Sequence, residues 1–180
     1  AKEDLNQILD RGMIPAMREI GDKFSRNEAY VPELLIAARA MQAGLALIEP
    51  LLANTGRKPL GKVAVGTVKG DLHDIGKNLV AIMLKGAGYD VIDLGVNCDV
   101  SKYESAVGQG AQIIGCSSLL TTTMPYMKDV VAHFKAKGMD VKVIIGGAPV
   151  TQAYADEIGA DGYSSDANGA VKLVDSLLAK

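Results

Sequence analysis

Cysteine is nearly missing from this chain, which has only Cys98 and Cys116 among its 180 residues. Two thiols cannot form the disulfide framework of a small secreted fold, and their separation matches no metal-ligand spacing. Reduced, structural cysteines in a cytoplasmic protein are therefore expected. No signal-like start is present, since the chain opens on polar AKEDLNQ. No uninterrupted apolar run approaches ~18 residues, so no segment is expected to span a bilayer. No Lys/Arg cluster accompanies the formal net charge of −2, which argues against nucleic acid or an anionic membrane as partner. Gly-x-Gly-x-x-Gly and a phosphate loop ending in Gly-Lys-Ser/Thr are both absent, which argues against a plain dinucleotide or triphosphate site.

What is present is an ordinary globular composition, 48% hydrophobic and 22% charged. The length suits one medium domain, or a small domain beside one of ~120 residues. The pattern favours the second arrangement. Over residues 1–54, apolar side chains recur at three- and four-residue spacing: Leu5, Ile8 and Leu9; Met13, Met17, Ile20 and Phe24; then Leu34, Leu35, Ala38, Met41, Leu45 and Ile48. About three helical stretches are predicted. Pro32 suits the first turn of a helix starting near Val31, and Pro15 marks a helix start or a kink. Residues 55–61 read as a linker punctuated by Gly and Pro.

From residue 62 the rhythm alternates. Strands are predicted over 62–68, 91–94, 112–116, 141–145 and 162–164, and helices over 75–86, 101–108, 125–137, 151–158 and 168–178. Buried strands separated by helices imply an α/β domain over 62–180, with a five-stranded, doubly wound parallel sheet in the order 2-1-3-4-5. In that order the loops after the first and third strands flank the switch point where ligands bind.

The first of those loops contains Gly70-Asp71-Leu72-His73-Asp74-Ile75-Gly76. In extended chain, residues two apart point to the same side, so Asp71 and His73 can be neighbours. A carboxylate that accepts one ring N–H fixes the tautomer and leaves the other nitrogen as a lone-pair donor, which is what a metal ligand needs. Taken singly, His73 reads equally as a capping or solvent-facing residue, Asp74 as the N-cap of the helix at Ile75, and Gly76 as a packing glycine. The second loop carries a row of hydroxyls from Ser117 to Thr123. N-capping of the helix at Pro125 accounts for one of them, best Thr123. The fourth strand ends in Gly146-Gly147, either to leave room at the sheet edge or to make a tight turn. A phosphorylated receiver domain shares the topology but would need acidic residues where this chain has Ser and Thr.

Together, Asp71-x-His73-x-x-Gly76, Ser117-x-Leu119 and Gly146-Gly147 resemble the cobalamin-binding signature of corrinoid-dependent methyltransferases and mutases. Residues 67–78 (TVKGDLHDIGKN) and 24–35 (FSRNEAYVPELL) are similar to the corresponding segments of cobalamin-dependent methionine synthase. Length and layout are closest to the free-standing corrinoid proteins that shuttle methyl groups from methylamines, methanol, glycine betaine or aryl methyl ethers. The resemblance covers nearly the whole chain. It implies a helical cap over 1–54 on a flavodoxin-like cobalamin-binding fold. That cap is normally a four-helix bundle, so one N-terminal helix is expected to be missing here.

The resemblance also implies roles. The cofactor is cobalamin, cycling between methylcobalamin and the cobalt(I) corrinoid. Its benzimidazole leaves the metal, and its nucleotide tail threads into the sheet edge. His73 would then be the axial cobalt ligand, with Asp71 holding its other nitrogen and Thr123 continuing the relay. Gly70, Leu72, Asp74 and Gly76 would surround the ligand loop. Ser117, Leu119, Thr121, Gly146, Gly147, Tyr163 and Ala167 would line the tail pocket. Phe24 and Val31 would stand over the upper corrin face, with Asp10 near its edge, although from the residues alone Phe24 and Val31 read as bundle core.

Such a chain is a methyl-carrier subunit with no substrate site of its own. Its expected partners are a donor-specific methyltransferase, an acceptor methyltransferase using tetrahydrofolate or coenzyme M, and a reductive activase, with no nucleic acid and no membrane. The alternatives are the small subunit of an adenosylcobalamin-dependent mutase, which lacks the helical cap, and a cobalamin-sensing regulator, which would need a DNA-binding module.

Overall fold

A computed structural model describes residues 5–52 and 58–179. Part of the expected linker, residues 55–57, lies outside the described residues. Five parallel strands, β1 (Lys62–Thr67), β2 (Asp90–Asp93), β3 (Ile113–Ser117), β4 (Lys142–Gly146) and β5 (Gly162–Ser164), form one sheet in the order β2-β1-β3-β4-β5. The expected order is the observed one, and strand limits differ by at most a residue or two. In register, β1 places Thr67 beside Ser117 of β3, and β3 places Ser117 beside Gly146 of β4.

Side chains alternate across the strands and so build two cores. Val63 and Val65 of β1, Ile113 of β3 and Ile144 of β4 face one side. Ala64, Ile114, Cys116, Val143 and Ile145 face the other. The second side is covered by α5 (Val100–Gly108), α6 (Pro125–Ala136) and α7 (Gln152–Ile158). The first is covered by α4 (Ile75–Gly86), α8 (Ala167–Leu178) and the N-terminal helices. Leu9, Ile14, Met17, Leu34, Ala38 and Met41 of the cap thus share one continuous core with the sheet.

Among the described residues the N-terminal segment has the three expected helical stretches, the first two joined without a break. α1 (Leu5–Ile8) runs through a π-helical turn (Leu9–Met13) into α2 (Ile14–Ser25). Pro15 has no N–H, and its ring would crowd the carbonyl four residues back in a regular helix. The wider turn absorbs it, with the Ile14 N–H donating to Leu9 O. α3 (Val31–Leu52) then holds Pro32 in its first turn, where the Glu33 carboxylate accepts the Tyr30 N–H at 3.0 Å.

α3 also qualifies the expectation about membranes. Its Val31–Ile48 window has mean hydropathy 1.4, long and apolar enough to cross a bilayer by length and composition. No uninterrupted run exists because Glu33 and Arg39 interrupt it, yet two charges in eighteen residues do not disqualify a span. In the fold, Leu34, Ala38 and Met41 turn inward to the core.

Candidate functional site

The segments after β1, β3, β4 and β5 emerge at the same edge of the parallel sheet. After β1 the chain turns at Gly70, whose φ of +85° is in the region that favours glycine. Asn97 clamps the turn: its side-chain oxygen accepts the Gly70 N–H at 2.8 Å, and its own N–H donates to Asp71 O at 3.0 Å. Thr67, fully buried, donates its hydroxyl to His73 O at 2.9 Å. The result is a fixed loop that presents His73.

Asp71 is fully buried while the His73 side chain is 51% exposed. Oδ1 of Asp71 accepts the His73 N–H at 3.0 Å and lies 2.7 Å from Nδ1. Burial alone would push this carboxyl up. The His73 backbone and ring, the Leu119 N–H and the Thr123 hydroxyl outweigh it and hold the group far below the usual carboxylate range. An ionised carboxylate only accepts, so Nδ1 carries a proton, and in the neutral imidazole the lone pair is then on Nε2. Nε2 has no protein partner among the described residues.

The β3 loop completes the cage around Asp71. Oδ2 accepts the N–H groups of Leu119 at 2.8 Å and Leu120 at 3.2 Å, and the Thr123 hydroxyl at 2.9 Å. Thr123 therefore joins the carboxylate and does not cap α6. The residue before α6 is Met124, itself helical and without a side-chain cap. Ser118, which the sequence reading passed over, is buried with Oγ 2.7 Å from Thr123 Oγ1. Ser117 ends β3 half-buried, and Leu119 and Thr121 are exposed.

Three other expectations change. Asp74 precedes α4 but makes no cap hydrogen bond, because its backbone is not extended. Its carboxylate accepts the Asn78 amide at 3.0 Å instead. Gly76 is not a packing glycine: a β-carbon there would meet nothing within 4 Å, so it leaves bare backbone at the start of α4. Ala167, expected in the tail pocket, has its methyl buried in the first core, and Tyr163 packs half-buried against the second. The tight-turn reading fits Gly147. Its φ is +133° and a β-carbon would come within 1.9 Å of Ser118 O, so β4 approaches the β3 loop through a glycine.

Phe24 and Val31 do meet, in a cavity of about 440 Å³ bounded also by Ser25, Asn27, Tyr30 and Asp166. Phe24 packs partly on the cap core as well, as its reading as bundle core expects. Asp10 is not brought there. It sits in the π turn, fourteen residues from Phe24, or roughly 20 Å along a helix.

An apolar ledge flanks His73: Leu72 is 70% exposed, Ile75 81%, Leu119 45% and Leu120 40%. No group of three potential metal ligands occurs among the described residues. A single free imidazole nitrogen can hold only a metal that arrives with its other ligands in place, and exposed apolar side chains with bare backbone suit a large, partly apolar carrier of that metal. The arrangement fits a corrinoid.

Comparison with known proteins agrees. A B12-binding domain model matches residues 61–172 and a second one residues 1–49. A corrinoid protein of Desulfitobacterium hafniense is 40% identical over 98% of this chain and 85% of its own length. Dimethylamine corrinoid protein 1 of Methanosarcina acetivorans is 41% identical over 98% and 84%. Among solved structures, the methanol:cobalamin methyltransferase complex MtaBC of Methanosarcina barkeri superposes with a TM-score of 0.86 at 28% identity, over 98% of this chain and 69% of the matched one.

Proposed function

Because this chain belongs to the cobalamin-binding corrinoid proteins of methyltransferase systems, we propose that it holds its cofactor through His73 Nε2, with the cofactor's own base displaced. The observation that supports this most is the 2.7 Å contact between His73 Nδ1 and the buried Asp71, which in the neutral imidazole puts the lone pair on Nε2, a nitrogen with no partner among the described residues. Bound there, the corrinoid supplies a cobalt that accepts and releases a methyl group. The chain's residues do the rest. Asp71 fixes the tautomer and orientation of the ligand, and Leu119, Leu120 and Thr123 hold Asp71 in turn. Leu72, Ile75, Leu119 and Leu120 provide the apolar seat, and Phe24 and Val31 border the space on the cap side.

Nothing among these side chains binds or activates a methyl donor, which suits a carrier between a donor-specific and an acceptor methyltransferase, maintained by a reductive activase. The MtaBC complex, named for a methanol:cobalamin methyltransferase, is the precedent for such a partner. Cys98 and Cys116 are both free and buried, in keeping with a reducing cytoplasm.

Electron paramagnetic resonance of the cobalt(II) form tests the ligand. Nitrogen coupling to cobalt is expected in the native protein and absent in His73→Ala. Coupling that survives the substitution assigns the ligand elsewhere.

A further inference from the structure

Resting on the reading that His73 holds the cofactor, the geometry points to Ser118 as a positioning residue. It is the outermost hydroxyl of a directed chain, Ser118 to Thr123 to Asp71 to His73. The argument is a proton count. The Asp71 carboxylate can only accept, so the Thr123 hydroxyl, 2.9 Å from Oδ2, gives it its one proton. The Thr123 oxygen is then left with lone pairs, and Ser118 Oγ lies 2.7 Å away. Ser118 itself is 3.3 Å from Asp71 Oδ2, a poor direct contact beside that one.

A competing acceptor shows why the outer hydroxyl matters. Leu120 O is 3.0 Å from Thr123 Oγ1 and 3.1 Å from Ser118 Oγ. With Ser118 donating to its oxygen, Thr123 is polarised as a donor toward the carboxylate. Without Ser118, Thr123 is free to rotate toward Leu120 O, and Asp71 loses a hydroxyl.

The backbone holds Ser118 in place. Its N–H donates to Gly146 O at 3.2 Å, and its carbonyl occupies the space a Gly147 side chain would need. The Gly146-Gly147 pair thereby sets the position of a hydroxyl three links from the ligand.

The test uses the full chain without cofactor, measuring solvent exchange of the His73 Nδ1–H by nitrogen-resolved NMR at fixed pH. Ser118→Ala is expected to speed exchange about fivefold, the scale of one buried hydrogen bond, with the melting temperature little changed. In a Thr123→Val background the same substitution should add nothing, because Ser118 acts through Thr123. Ser118→Cys, nearly isosteric with a weak donor, gives a second reading if the alanine variant does not fold. Unchanged exchange in either variant overturns the proposal, as does an additive effect in the Thr123→Val background. These outcomes are independent of the cobalt(II) spectrum, so failure of His73 as ligand and failure of Ser118 as its positioner are told apart.

Discussion

At the scale of single residues, both oxygens of Asp71 are saturated, Oδ1 by His73 and Oδ2 by the β3 loop. Asparagine has one acceptor oxygen and an amide that would oppose either the imidazole N–H or the Leu119 N–H. Asp71→Asn is expected to retain the cofactor, to destabilise the fold by about 1–3 kcal/mol, and to shift the cobalt(II)/cobalt(I) midpoint potential measured by redox titration. An unchanged potential would remove Asp71 from the tuning of the ligand. Gly147→Ala should cost more than ordinary strain, because left-handed backbone and a 1.9 Å clash coincide. About 3 kcal/mol or a failure to fold is expected by denaturant titration. The Asp71–His73 pair could be read from sequence because extended chain puts residues two apart on one side. Ser118 could not, because a run of adjacent hydroxyls does not reveal which of them turns inward. The capping roles given to Asp74 and Thr123 failed for different reasons: Asp74 precedes its helix without the extended backbone that aims a side chain at the first turn, and Thr123 is one residue short of that position with its hydroxyl on Asp71.

At the scale of elements, the seam between α2 and α8 is built from polar pairs. Arg18 is bidentate to Asp175, at 2.5 and 3.1 Å, and the Tyr89 hydroxyl donates to the same carboxylate. One turn along, Asp22 pairs with Lys172 at 2.7 Å and accepts from the buried Asn168. Burial would raise Asp175, but the Arg18 and Tyr89 hydrogen bonds lower it below its ordinary value. A depressed carboxyl contributes stability above its unfolded pKa and loses it as pH falls through the folded value. The seam should therefore weaken on acidification below about pH 4, visible as faster amide exchange in α2. Arg18→Ala should produce the same acceleration at neutral pH. The pair is partly solvent-exposed, so about 1 kcal/mol is expected; equal α2 exchange in both proteins would show that the ion pair does not hold the cap. The alternating strands and helices were readable because their periods differ. The π turn was not, because a proline inside a helical pattern looks the same whether the chain breaks or widens there.

At the scale of the whole molecule, the proposal puts the cofactor on His73 at one sheet edge and makes the chain a carrier that depends on a partner for its methyl donor. The isolated protein, reduced to the cobalt(I) state, is expected to take a methyl group from methyl iodide and to leave natural donors almost untouched until a methyltransferase is added. Rapid, saturable turnover of a natural donor by this chain alone would make it a complete enzyme.

The core shared by the cap and the sheet has a consequence for that encounter, best put as a population. Ile14 and Met17 pack against the α4 side, Met17 so near Gly86 that a β-carbon there would lie 3.0 Å from it. Re-exposing two such side chains costs roughly 5 kcal/mol, which leaves a freely undocked cap in about one molecule in several thousand. Were transfer to need the undocked form, waiting for so rare a conformer would tax it by that factor. A methyltransferase that binds the undocked form must therefore offer apolar surface of its own, and its affinity for the carrier would be set as much by the cap it displaces as by the cofactor it reaches.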